Sequence, residues 1–129
     1  MKKTILITAS IFGFLAVALG AFGAHGLEKL VSPEAVNTFE TGVRYQMYHA
    51  IFLFVLALIP GIKEQAQRIV YGLTVIGVVF FSFSIYLLAL NSITQFEFKT
   101  IGFITPIGGT LLLGAWGYLG YQLYSSKIK

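Results

Sequence analysis

Four long apolar stretches occupy most of this 129-residue chain. Each approaches the roughly 20 helical residues that cross a bilayer core of about 30 Å at about 1.5 Å per residue. His49 is the one ionisable side chain, tyrosine apart, well inside any of them, and a charge at mid-bilayer costs about 2.5 to 3.5 kcal/mol. The sequence therefore predicts an all-α integral membrane four-helix bundle, a single domain over residues 1–129, with spans at about 4–24, 45–62, 69–90 and 101–124.

The distribution of basic residues predicts the orientation of the bundle. The end that carries the N-terminus holds Lys2, Lys3, Lys63, Arg68, Lys127 and Lys129. The opposite end holds Lys29, Arg44 and Lys99. Because cytoplasmic loops carry the excess of Lys and Arg, both termini are predicted to lie in the cytoplasm. The first stretch also resembles a signal peptide, but we expect a retained helix because its apolar run continues to a full spanning length.

The composition argues against several kinds of function. Cysteine is absent from the sequence, which excludes disulfides, thiolate metal ligands and cysteine nucleophiles. The net charge of +4 comes from scattered residues, and the sequence has no run of Lys and Arg that could contact successive phosphates of a nucleic acid. We therefore expect no nucleic-acid binding. No catalytic set, phosphate loop or metal-ligand spacing is visible. We therefore expect a protein that is not an enzyme and has no catalytic residues, metal site or cofactor.

A helix start is encoded between the first and second stretches. The segment SPE at 32–34 combines an N-cap residue, a proline at the first helical position and an acid where the helix dipole favours negative charge. Val36, Phe39 and Val43 then form an apolar stripe at i, i+3 and i+7. We expect a short interfacial helix in the first outer loop, with direct continuation into the second span as the alternative.

Small residues predict where the helices approach one another. They recur about every four positions along the first span and every three along the fourth, and such stripes let helix backbones come close in lipid. The proposed packing positions are Gly13, Gly20, Gly23, Gly108, Gly109 and Gly114. We expect the first and fourth helices to face protein at these positions. The alternative is that glycine is simply commoner in membrane helices.

Two prolines mark interruptions of the apolar stretches. Pro60, followed by Gly61, ends the second span and predicts a short antiparallel hairpin with the third. Pro106 lies inside the fourth span and cannot donate to the carbonyl of Gly102, so we expect a kink there, with Thr105 bonding the freed carbonyl. Broken helices line substrate sites in transporters, although a proline kink is more often architectural.

Polar residues gather in the outer half of the predicted bundle. A rise of about 1.5 Å per residue places His49 about 9 Å below the outer boundary, and His25 ends the first span on the same side. The candidate polar cluster consists of His25, Glu40, Arg44, Tyr45, His49, Ser82, Ser84, Tyr86 and Thr105. We expect both histidines to turn inward and His49 to bond another helix, because an unsatisfied polar ring in hydrocarbon is costly.

The same cluster also has a purely structural explanation. Glu40 with Arg44 forms an ion pair in this view, and the histidines bond backbone carbonyls or hydroxyls of the bundle. Most of the tyrosines, and Trp116, are then aromatic residues of the membrane interface. Both explanations stay open at the level of the sequence.

Four ordered segments of the chain resemble a known family. They are GAFGAHGL at 20–27, TGVRYQMYH at 41–49, FSFSIY at 81–86 and TPIGG at 105–109, with Trp116 after them. They are similar to the signature segments of domain-of-unknown-function family 423, small proteins of the bacterial inner membrane. The resemblance implies a four-helix inner-membrane protein and supplies no activity, substrate or catalytic residue. Phe83 and Phe39 depart from the expected glycine and tryptophan.

Two classes of function follow from these features. The first is a non-enzymatic accessory or stabilising subunit, which uses its glycine-lined faces to pack against a membrane-protein partner or a second copy of itself. The second is a transporter, channel or binder of lipid or a small ligand, which uses the polar cluster around His25 and His49. The sequence favours the first, because the loops are short and almost no charge lies in the spans. In either case the lipid bilayer surrounds the protein.

Overall fold

The computed structural model describes residues 1–93 and 102–126, and every regular element within them is helical. The four long helices are α1 (Lys2–His25), α2 (Pro33–Leu58), α3 (Glu64–Ala89) and α4 (Ile104–Ser125). Short 3₁₀ turns, Leu27–Lys29 and Asn91–Ile93, follow α1 and α3. By length and composition, α3 and α1 together with its following turn are apolar enough to cross a membrane. The predicted all-α, four-helix architecture is confirmed.

The four helices form two antiparallel pairs. α1 packs along α2, α4 packs along α3, and contacts between α2 and α3 join the pairs. One apolar core cluster includes side chains from all four helices. The start of α1, the α2–α3 turn and the end of α4 lie at one end of the bundle, which we call the Pro60 end. The opposite end is called the His25 end.

α2 begins where the sequence predicts. The Ser32 hydroxyl accepts a hydrogen bond from the backbone N–H of Ala35 at 3.2 Å, and Pro33 is the first helical residue. The helix then continues unbroken to Leu58, so the first loop contains no separate interfacial helix. The reason is packing, since the buried ring of Phe39 lies 4.9 Å from the ring of Tyr86 on α3. The apolar stripe of α2 faces the bundle and not a membrane surface.

The tight turn between α2 and α3 confirms the predicted hairpin. Ile59 leaves the helical conformation ahead of Pro60, and Gly61 has a φ of 81°. A residue without Cβ adopts this left-handed conformation at little cost, whereas most others are strained in it. α3 then begins at Glu64, close behind the turn.

Glycines of α1 face protein, as predicted, and the neighbouring helix is α2. A methyl carbon added to Gly20 would lie 3.4 Å from Cγ1 of Val43, and one added to Gly23 would lie 3.2 Å from the ring of Phe39. Gly13 faces Ala50 farther down the same pair. These three positions set the distance between α1 and α2, because a larger side chain at any of them would meet the neighbouring helix.

α3 and α4 come together backbone against backbone at Gly108. A methyl carbon added there would overlap the backbone nitrogen of Phe81 and would lie 2.7 Å from the carbonyl carbon of Phe80. At this crossing α3 contains a π-helical segment, Val79–Phe83. Gly109 lies beside the Phe81 ring with ordinary spacing, so both glycines confirm the predicted contact of the fourth helix with protein.

The predicted kink at Pro106 is wrong. α4 begins at Ile104, so Pro106 lies in its first turn, where backbone N–H groups have no acceptor within the helix and the missing donor costs nothing. The glycine stripe beyond it also differs from the prediction. A methyl carbon added to Gly114 would have only a distant contact, 3.9 Å from a methyl carbon of Leu73. Gly117 and Gly120, at the end of the stripe, face away from the bundle.

Candidate functional site

His49 lies near mid-height of the bundle. It belongs to α2, only 4% of its surface is exposed, and the adjacent Ala50 faces Gly13 near the middle of α1. Its Nδ1 lies 2.6 Å from the backbone carbonyl oxygen of Tyr45, and the indole N–H of Trp116 on α4 donates to its Nε2 at 3.1 Å. The predicted hydrogen bond between His49 and another helix is confirmed.

These two hydrogen bonds define where the imidazole proton lies. A carbonyl oxygen only accepts and an indole N–H only donates, so the proton is on Nδ1 and the lone pair of Nε2 points to Trp116. The ring is therefore neutral and both of its nitrogens are occupied. In this arrangement His49 ties α2 to α4 and has no lone pair free for a metal ion.

A groove opens beside this histidine between α2, α3 and α4. Its volume is about 230 Å³, and its lining residues are Tyr45, His49, Phe81, Gly109, Leu112, Leu113 and Trp116. The Trp116 ring is held from two sides, 4.4 Å from the ring of Phe52 and 6.1 Å from that of His49. We call this feature the His49 groove. Its surface is almost wholly apolar.

A second polar contact lies toward the His25 end and joins three helices. Gln46 of α2 is completely buried, and its side-chain amide donates to the backbone carbonyl of Phe12 on α1 at 2.9 Å. The Tyr86 hydroxyl on α3 donates to the Gln46 carbonyl oxygen at 2.6 Å. Nearby, the Ser82 hydroxyl donates to the backbone carbonyl of Gly42 at 2.8 Å. These bonds fix the relative positions of α1, α2 and α3.

A third polar contact joins the end of α3 to the start of α4. Ser84 and Thr105 place their hydroxyl oxygens 2.6 Å apart. The Ser84 hydroxyl also lies 2.9 Å from the carbonyl oxygen of Phe81, inside the π-helical segment. Thr105 therefore bonds another helix, and not a carbonyl freed by Pro106 as predicted.

Sequence analysis missed Gln46. The signal was present, because Gln46 and His49 are the two uncharged polar residues other than tyrosine within the second predicted span. An amide in hydrocarbon needs hydrogen-bond partners, so its burial between helices follows from the same argument that was applied to the histidine.

The predicted shared site of His25 and His49 does not form. His25 is exposed at the end of α1. Gly23, two residues before it, faces Phe39 near the start of α2. His49 lies ten residues beyond Phe39, which is about 15 Å farther along α2. The prediction placed both rings by depth alone. His25 ends its helix on the outward side, so its ring does not turn into the bundle.

Two further expectations for the polar cluster are corrected. Arg44 is exposed and donates to the Thr41 hydroxyl at 3.2 Å, and the part of the chain that the structure describes contains no ion pair between it and Glu40. Trp116, predicted as an aromatic residue of the membrane interface, lies near the middle of α4 and donates a hydrogen bond to His49. The tryptophan belongs to the site because α4 turns this face toward α2.

Replacement of His49 tests its role in joining α2 to α4. His49→Leu leaves the Trp116 N–H without its partner and is expected to cost about 1 kcal/mol, in the range of hydrogen bonds between membrane helices. His49→Gln keeps an acceptor and is expected to lose less than half as much. Unfolding in mixed micelles, followed by circular dichroism, measures both, with exposed Tyr48→Phe as the control. Equal losses for both variants would contradict the role.

Comparison with known proteins identifies relatives that cover most of the chain. A family model described as "Protein of unknown function (DUF423)" matches residues 19–109. A UPF0382 membrane protein of Haemophilus influenzae is 39% identical and covers 98% of this chain and 98% of its own. The UPF0382 inner membrane protein YgdD of Escherichia coli is 36% identical over 92% of this chain and 87% of its own. No solved structure matches.

The matched region contains most of the residues that form the polar contacts described above, whereas Phe12 and Trp116 lie outside it. The relatives are named as membrane proteins, in agreement with the apolar helices of this chain. The resemblance seen in the four sequence segments is confirmed, and the chain belongs to the DUF423 family of membrane proteins, whose function is unknown.

Proposed function

We propose that this protein is a non-enzymatic accessory or stabilising subunit that packs against another membrane protein or a second copy of itself. The observation that carries the proposal is the outer face of α4. Gly117 and Gly120 are exposed there, and a methyl carbon added to either would meet no atom within 4 Å. Gly108, on the inner face, is enclosed by α3. In lipid, an open glycine face allows the backbone of a neighbouring helix to approach closely.

The interior of the bundle supports a structural role. Within residues 1–93 and 102–126, no buried side-chain nitrogen or oxygen lacks a hydrogen-bond partner. The same two ranges contain no group of three His, Cys, Asp or Glu side chains that could hold a metal ion. Gln46, His49, Ser82 and Ser84 bond groups on other helices, whereas the buried Thr74 bonds the carbonyl of Val70 in its own helix.

A transporter or channel is the second candidate. It requires polar groups that face a pathway, and His49 has both ring nitrogens bonded within the protein. α4 also runs from Ile104 to Ser125 as one helix, without the break that forms substrate sites in many transporters. Both features favour the accessory role.

Purification in a mild detergent tests the accessory role. The 14.2 kDa chain is expected to elute with a partner at fixed stoichiometry, or at a multiple of its own mass, in size-exclusion chromatography with light scattering. Gly117→Leu adds bulk to the open face and is expected to release the single chain with unchanged helix content. Val17→Leu on the exposed face of α1 is the control. A wild-type chain that elutes alone would contradict the proposal.

We also propose that both termini lie in the cytoplasm of a bacterial inner membrane. The excess of basic residues at the Pro60 end supports this orientation, and the Escherichia coli relative is named an inner membrane protein. Single cysteines test it in a chain that has none of its own. An impermeant thiol reagent is expected to label Ser32→Cys in intact cells and Ser126→Cys only after permeabilisation. Labelling of Ser126→Cys in intact cells would invert the orientation.

A further inference from the structure

We propose that the His49 groove binds the hydrocarbon chain of a membrane phospholipid, independently of the proposed accessory role. The groove opens sideways, away from the bundle, and not toward either end of it. Leu113 and Trp116 at its edge are 74% and 53% exposed. In a membrane-spanning bundle such a lateral opening faces lipid.

The polarity of the lining identifies the chemistry of the occupant. The two ring nitrogens of His49 and the indole N–H of Trp116 are bonded to protein groups. Tyr45 contributes its ring, which packs 4.9 Å from that of Phe81. A headgroup, a sugar or an ion would lose hydration here without gaining hydrogen bonds, at a cost of several kcal/mol. The groove therefore fits an uncharged hydrocarbon segment.

The height of the groove leads to the same occupant. His49 lies level with Gly13 near the middle of α1, and Trp116 is near the middle of α4. The hydrocarbon core of a bilayer is about 30 Å thick, so mid-height of these helices lies well inside it. The molecules that fill this layer around a membrane protein are lipid chains.

The shape of the groove distinguishes it from the rest of the lipid-facing surface. Gly109 supplies no side chain at its floor, and the aromatic walls are fixed because Trp116 is held by both His49 and Phe52. A cavity of about 230 Å³ is below the roughly 300 to 1,000 Å³ of pockets for whole small molecules. The groove therefore accepts a segment of a lipid acyl chain. A wall that is already rigid loses little entropy when the chain binds.

Photo-crosslinking tests the proposal with a defined probe. The purified full chain is reconstituted in vesicles of phosphatidylethanolamine and phosphatidylglycerol that contain phosphatidylethanolamine with a diazirine midway along one acyl chain. Mass spectrometry then locates the crosslinks. Leu113 and Tyr45 are expected to be labelled several-fold more than Phe14, which is 74% exposed on α1 and lies outside the groove.

A substitution at the floor of the groove provides the matched test. Gly109→Leu fills the groove, and its Cβ would lie at an ordinary 3.6 Å from the Phe81 ring. Labelling of Leu113 is expected to fall to the level of Phe14. Gly72→Leu on α3, where an added methyl carbon would meet no atom within 4 Å, is the control and is expected to leave the labelling of Leu113 unchanged. Gly109→Val gives a smaller obstruction if Gly109→Leu loses helix content.

Three outcomes would overturn the proposal. Equal labelling of Leu113 and Phe14 would mean that only passing lipids touch the groove. Absence of label at Leu113 and Tyr45 would mean that a protein segment or a second copy covers it. Unchanged labelling in a folded Gly109 variant would mean that the lipid acyl chain does not enter the groove.

Discussion

Gly108→Ala is expected to lower the free energy of unfolding by about 3 kcal/mol, at the upper end of the usual range for overpacked cores. The added carbon would overlap the backbone nitrogen of Phe81 and would lie 2.8 Å from its Cα. Neither atom is the end of a flexible side chain, so α4 would have to move away from α3 as a whole. The hydrogen bond between Ser84 and Thr105, beside this crossing, would break with that movement.

Gly117→Ala is the matched control for this prediction. It adds the same methyl group to the same helix, at a position where no atom lies within 4 Å. Because alanine favours a helix over glycine by about 0.5 to 1 kcal/mol, its stability is expected to equal or slightly exceed that of the wild type. Unfolding by an ionic detergent in mixed micelles, followed by helix content and by the fluorescence of the single tryptophan, gives both values. Similar stability of the two variants would show that the contact between α3 and α4 does not restrict the size of the residue at position 108.

Gln46→Leu is expected to cost about 2 kcal/mol, although leucine has a similar size and suits a membrane interior. The substitution removes the bond to Phe12 on α1 and also removes the oxygen atom to which the buried Tyr86 hydroxyl donates. Hydrogen bonds between membrane helices contribute about 0.6 kcal/mol on average and up to about 1.7, and this substitution removes the bonds to two helices at once.

A double-mutant cycle isolates this contact. Tyr86→Phe removes the hydroxyl, so Gln46→Leu is expected to cost clearly less in that background than in the wild type. The same unfolding measurement gives all four free energies. Additive losses from the two substitutions would show that the bond contributes nothing to stability.

Features that depend on neighbouring residues in the chain were predictable from the sequence. The start of α2 at Pro33 follows from its N-cap, and the turn at Gly61 follows from the proline before it. The glycines of α1 were also placed correctly, because a spacing of about four residues puts them on one face of a helix. Membrane helices amplify this signal, since small residues mark their contacts.

Features that depend on the register between helices were not predictable. Depth arithmetic gives the height of His49 but not the direction of its ring, and it wrongly brought His25 inward. Trp116 reaches His49 because of the way α4 crosses α3 at Gly108; the sequence predicts a contact at this glycine but not which face of α4 then meets α2. Pro106 was misplaced for a simpler reason, since the helix begins three residues later than the predicted span.

The π-helical segment of α3 divides this helix into two parts that serve different neighbours. Before the segment, Gly77 faces Leu112 of α4, and after it Tyr86 faces α2. The wider π turn holds an extra residue, and deletion of one residue within Val79–Phe83 would restore a plain α-helix. Because the π turn absorbs that residue, the two parts of α3 would keep their directions after the deletion. If all five residues were instead wound as a plain α-helix, everything beyond them would rotate by about 100° and turn Tyr86 away from Gln46. The backbone winding of this one turn, and not only the identity of the residues in α3, therefore determines which helices α3 can hold together.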